Sequence, residues 1–174
     1  TFGDGGKGIT VANLCNNNEK NLVVRFSGGP NAGHAVIHNG IKHVFSSFGS
    51  GTLQGVPSYY SKHTSMYLPN LCREYEELKS KGVSDPVLYL DPLVNVITPY
   101  DIAYHRLQEM KNNHSSTGIG HGQTMKRNET TGYKLYAVDF LNLDILKLKL
   151  SNIKNYYYYK LDKKDSPEQN LFYL

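Results

Sequence analysis

The chain has 174 residues, of which 39% are apolar and 20% charged, with a net charge of +4. This composition excludes a disordered tail, and the length suits one domain with a real core, or part of a larger one. The basic residues are scattered rather than striped, so small anionic molecules are expected as partners and nucleic acid is not. No apolar run approaches the ~20 residues of a bilayer span, so no membrane partner is expected.

Lys7–Cys15 reads as a short helix, with Ile9, Val11, Ala12 and Leu14 as its apolar positions. "NLVVRF" (21–26) is a continuous apolar run of strand length, the pattern of a buried parallel strand. The turn-rich "SGGPNAG" (27–33) follows, and then a sequence alternating around Asn39-Gly40 that signals a hairpin. A second helix starts near Pro69, with Leu68, Leu71, Cys72, Tyr75 and Leu78 at helical spacing and Gly82 as its stop. "PVLYLD" and "VNVIT" read as strands, and "PYDIAYHRLQEM" (99–110) as a helix. Residues 111–132 read as a long polar, glycine-bearing loop, "YKLYAVDFL" as a strand and "LDILKLKLSNIKNYYYY" as a helix. Strands alternating with helices give the fold class: α/β with a mainly parallel central sheet and flanking helices. Cys15 and Cys72 stand far apart, without a CxxC pair, on apolar helix faces. They read as core residues of a protein from a reducing cytoplasm.

Two glycine-rich loops carry the candidate chemistry. "GDGGKG" (3–8) places backbone N–H groups at the start of a helix, where phosphate oxygens are held, and Lys7 adds a point charge. It is not the GxxxxGK[ST] loop, since Gly8 stands where Ser or Thr would meet magnesium. Asp4 among phosphate-binding amides would repel the ligand unless it ligates Mg²⁺ or accepts a proton, or it simply caps the helix. His34 ends the second loop directly before a strand, where it can face a ligand or be structural.

Taken together, "GDGGKG" (3–8), "VVRFSGGPNAGHAV" (23–36), "FGSGTL" (48–53), "VITPYDIA" (96–103) and "SSTGIGHG" (115–122) resemble the adenylosuccinate synthetase family, motif by motif and in the family's order. The resemblance implies a P-loop-related α/β fold, a homodimer in the cytoplasm (a host's cytoplasm, if the chain is viral) and a GTP- or ATP-driven, Mg²⁺-dependent ligation of L-aspartate to IMP. It implies that residues 1–174 are a single α/β domain forming the N-terminal part of a longer synthetase. Asp4 and His34 become the expected catalytic pair, the former taking the N1 proton of the base and the latter assisting phosphoryl transfer. Asp4 and the carbonyl of Gly33 are the expected Mg²⁺ ligands. Gly5, Gly6, Lys7, Gly8, His34 and Ala35 are the expected contacts to the nucleotide phosphates. Asp4, Asn31, Ser116 and Thr117 are those to the purine nucleotide substrate.

The chain departs from the family pattern in several places. Gly5 replaces a Glu, Ala35 a Thr, and "STGIGHG" a loop that usually contains an arginine. "QTMKRNET" does not match the helix that normally supplies an arginine to the partner subunit. These features are similar to a compact phage branch that acts on dGMP, although Asp4 favours IMP. The family's aspartate-binding loop is absent, and Lys160–Asp162 is a chance match to its base-reading segment.

Overall fold

The computed structural model of the protein describes residues 5–16, 21–112 and 117–162. The backbone divides into two compact units, Thr1–Val94 and Asn95–Leu174.

In the first unit, helix α1 (Lys7–Cys15) leads to strand β1 (Val23–Arg25) and then to the hairpin β2 (His34–His38) and β3 (Ile41–Phe45). Asn39 and Gly40 join the hairpin with φ of 48° and 77°. Two successive positive values are what a tight hairpin turn requires and what this residue pair tolerates. Strand β4 (Ser58–Tyr60), the short β5 (Ser65–Met66), helix α2 (Leu68–Ser80) and strand β6 (Leu88–Leu90) follow. β4 lies between β1 and β6, parallel to both, with Val24, Tyr59 and Tyr89 in register. α2 is the crossover that returns the chain from β4 to β6, as parallel pairing demands.

Ala12, Val36, Phe45, Phe48 and Leu78 form the buried core of this unit, with Leu71 and Tyr75 of α2 packed against them. β1 is parallel as its sequence suggested, but it is not buried on both faces. Val24 is 50% exposed, whereas Val23 and Arg25 are partly covered. Cys15 is half-buried and Cys72 is exposed, so neither belongs to the core. Spacing placed Cys72 on the apolar stripe of α2, but the stripe that packs inward runs through Leu71, Tyr75 and Leu78.

The second unit contains β7 (Asn95–Val96), α3 (Pro99–Asn112), α4 (His121–Thr130), a 3₁₀ turn over Ala137–Leu141 and α5 (Leu143–Asp162). "TPYD" starts α3 with its own cap. Asp101 Oδ2 accepts from the backbone N–H and hydroxyl of Thr98, at 2.8 and 2.7 Å, and Thr98 accepts from the Asp101 N–H at 3.2 Å.

Two expectations fail in this unit. Residues 121–130, read as loop, are helical, and the reason is chemical: the buried face of α4 is Thr124, Arg127 and Asn128, so there is no apolar period to detect. "YKLYAVDFL" gives one antiparallel bridge, Tyr136 to Asn95, and then the 3₁₀ turn, where Asp139 accepts from the Tyr136 N–H at 2.9 Å. Arg127 is fully buried and is neutralised by Asp101 through two bonds of 2.8 and 3.0 Å. Tyr157 of α5 donates to the same carboxylate at 2.7 Å. Burial, and then that carboxylate, push the Tyr157 phenol far above its ordinary pKa. No helix among the described residues is long and apolar enough to cross a membrane.

Candidate phosphate-binding cleft

The first unit holds a cleft of about 470 Å³ between α1, β1, the 27–33 loop and the 48–50 turn. Its position follows from the sequence of the two glycine loops. Gly6, at φ 66°, turns the chain into α1 without a side-chain cap, and the Thr10 N–H and hydroxyl both donate to its carbonyl at 3.0 Å. Two residues further on, Gly8 is pressed against β2. A Cβ at Gly8 would lie 2.8 Å from His34 Cβ and 3.3 Å from His34 Cα. Only glycine allows this approach, so the two sequence motifs are brought together by direct contact. The 27–33 loop is anchored at Gly28 (φ 86°), whose carbonyl accepts from the Ser65 N–H at 3.0 Å.

Three cationic or proton-donating groups face the cleft: Lys7, Arg25 and His34. Burial, then the charges of Arg25 and Lys7, hold the His34 pKa below its ordinary value. The imidazole is therefore neutral near pH 7, and an anion placed beside it would draw its pKa back up. Val11, Val23, Val24, Phe26 and Phe48 give the cleft an apolar wall, and Ser27, Asn31 and Ser50 add uncharged polar groups. Among the described lining residues there is no carboxylate. A cationic mouth over an apolar wall is suited to a ligand that carries phosphate at one end and a flat ring at the other.

The wall is stiffened from beneath by a residue that the sequence reading missed. Glu74 of α2 is 4% exposed, and its carboxylate accepts from the N–H groups of Ser46, Ser47 and Phe48, at 3.0, 2.6 and 3.1 Å. Arg25, also missed, donates to the carbonyl oxygens of Ser46 and Gly29 and sits over the Tyr60 ring, 5.1 Å from its centroid. It therefore ties both loops to the end of β1. Burial raises the Tyr60 phenol to about 12. A lone charge closing the apolar run "VVRF" was the signal for Arg25; Glu74 left none, because one glutamate on a helix looks like any other.

The expected site residues fall as follows. Lys7, Gly8, Asn31 and His34 line the cleft. Gly5 and Gly6 are exposed at the entry to α1. Gly33 and Ala35 are exposed, and Ala35 pairs with Val44 across the hairpin. Thr117 belongs to the second unit, exposed ahead of α4. Asp4 and Ser116 lie outside the described residues. Among the described residues no three His, Cys, Asp or Glu side chains cluster as a metal cage. With no carboxylate among the described lining residues, a magnesium ion here would have to enter on phosphates and take most of its ligands from them and from water.

Two predictions follow from this geometry. Gly8→Ala should displace His34 and lower stability by about 1–3 kcal/mol, the range for overpacking a tight contact; chemical denaturation would measure it. The His34 imidazole should titrate below 6.5 in the free protein and shift upward when nucleotide binds, as read by NMR. Because its folded pKa is depressed, His34 favours the folded state above the unfolded value of 6.5, and that contribution is lost as pH falls.

Parallel strands, a βα crossover and a glycine-rich helix entrance define a P-loop-related α/β protein. The profile of one family, adenylosuccinate synthetase, matches residues 1–171, and the chain belongs to that family. It is 32% identical over 168 residues to adenylosuccinate synthetase from Coxiella burnetii, covering 92% of this chain and 38% of the relative. With the Borrelia turicatae protein it shares 32% over 154 residues, 86% of this chain and 35% of that one. With the Acetivibrio thermocellus protein it shares 35% over 118 residues, covering 67% and 27%. The chain thus spans 27% to 38% of the length of these relatives. The fold is that of fully ligated adenylosuccinate synthetase from Plasmodium falciparum, with a TM-score of 0.80 and 21% identity over 99% of this chain and 42% of that one. Cyanophage S-2L succinoaminodeoxyadenylate synthetase, bound to dGMP and dATP, gives 0.59 and 19%, covering 84% and 41%.

Proposed function

We propose that residues 1–174 act as the N-terminal, phosphate- and purine-binding part of a synthetase that joins L-aspartate to C6 of IMP at the expense of GTP or ATP. The observation that carries this reading is the contact of Gly8 with His34, which joins the "GDGGKG" and "NAGH" loops at one cationic cleft.

In this reading Asp4 takes the N1 proton of the base, and the 6-oxygen attacks the γ-phosphorus as the nucleoside diphosphate leaves. His34 donates a hydrogen bond to the phosphoryl oxygens, where charge grows in the transition state. Lys7 and the amides of Gly5 to Gly8 hold the triphosphate, with the Ala35 backbone beside them. Asn31, Ser116 and Thr117 hold the purine nucleotide. The aspartate amine then attacks C6 and inorganic phosphate departs. Magnesium, when bound, neutralises phosphate charge, and Asp4 and the Gly33 carbonyl are the residues that would hold it. A cytoplasmic homodimer goes with this reading.

A second acceptor, dGMP, is supported by likeness to the cyanophage fold and by the departures "STGIGHG" and Ala35. The test is turnover by the complete gene product with aspartate, Mg²⁺ and GTP or ATP, comparing IMP with dGMP. Turnover with IMP that falls about 10²–10⁴-fold in Asp4→Ala supports the reading. Preference for dGMP selects the second acceptor, and nucleotide binding without turnover leaves a binding module.

A further inference from the structure

The glycine turn ahead of α4 is held from one side by three residues of α3. His105 Nδ1 accepts from the Gly120 N–H at 3.2 Å. Its Nε2 lies 3.3 Å from Glu109 Oε1. Arg106 Nε donates to the Gly118 carbonyl at 3.4 Å. A ring nitrogen that accepts from an amide has its lone pair free, so Nδ1 is the acceptor here and Nε2 is the ring nitrogen that faces Glu109. The turn is built with no slack against α3. Gly118 and Gly120 have φ of 60° and 83°, and a Cβ on Gly120 would lie 3.1 Å from Ile102 N.

We propose that His105 is a positioning residue for the nucleotide-binding turn: its Nδ1 fixes the Gly120 amide, and through it the backbone that presents Thr117 to the phosphate of the purine nucleotide. The last step rests on the reading of Thr117 given above; the fixing of the turn does not.

Amide exchange at Gly120 in the 174-residue chain, corrected for intrinsic rates, tests the latch without any ligand. Protection should fall about two- to tenfold in His105→Ala relative to the native protein, the worth of one hydrogen bond. It should be retained in His105→Asn, whose amide oxygen can accept from the Gly120 N–H. Native protection in His105→Ala, or its loss in both variants alike, overturns the proposal. IMP titrations of the same proteins test the consequence. A two- to tenfold weaker Kd in His105→Ala, restored in His105→Asn, supports it. An unchanged Kd in a variant that has lost protection overturns the link to nucleotide. If the native protein binds no IMP, the purine-site reading fails, while the exchange data still decide the latch.

Discussion

Replacing His34 with alanine is expected to lower turnover about 10²–10⁴-fold, the range for loss of one acid–base or charge-stabilising group. The effect should fall on kcat, with the KM for the nucleoside triphosphate changing far less. In the proposed reading Lys7, Arg25 and the loop amides, which also border the cleft, would remain to hold the phosphates in the ground state, whereas His34 would act on charge that appears only during transfer. Steady-state kinetics on the complete gene product would measure both parameters. A rise in KM at constant kcat would make His34 a binding residue and remove it from the phosphoryl-transfer step.

The largest effect on stability is expected at Arg127, in the interior of the second unit. Arg127→Met should cost about 3–5 kcal/mol, because it leaves the Asp101 carboxylate buried without its cation. The Arg127 carbonyl partners at Val96 and Tyr133 would also lose their donors. Adding Asp101→Asn to Arg127→Met should recover part of the loss, since the uncompensated charge is then gone, although the Thr98 cap of α3 weakens. Urea unfolding of both single variants and the double variant gives the coupling energy directly. A cost below 1 kcal/mol for Arg127→Met would mean that the pair is solvated in the working protein.

How much of this was legible in the sequence depended on whether a residue acts through its neighbours in the chain or through distant ones. α1, the Asn39-Gly40 hairpin, α2 and α3 were readable because period, turn chemistry and capping are local properties. "TPYD" declares a helix start wherever it occurs, and Asn-Gly tolerates two positive φ values in any protein. α4 was not readable, because its inward face is made of Arg127, Asn128 and Thr124, and only partners on β7 and α3 make such a face fit for burial. "YKLYAVDFL" has the composition of a strand, yet beyond the single bridge at Tyr136 a cap at Asp139 and its 2.8 Å bond to Lys149 turn it into a 3₁₀ element.

The site divides the same way. The sequence by itself determined the residue types and order of the two glycine loops, and with them the family, because such glycine-rich motifs are short and contiguous. Only the tertiary structure decided that the loops meet, since that depends on Gly8 leaving room for the backbone of His34, a residue 26 positions away. It also assigned Arg25 and Glu74 to the support of the cleft. Glu74 acts on loop backbone 26 to 28 residues away and Arg25 on Ser46, 21 residues away, and no local pattern records hydrogen bonds of that span.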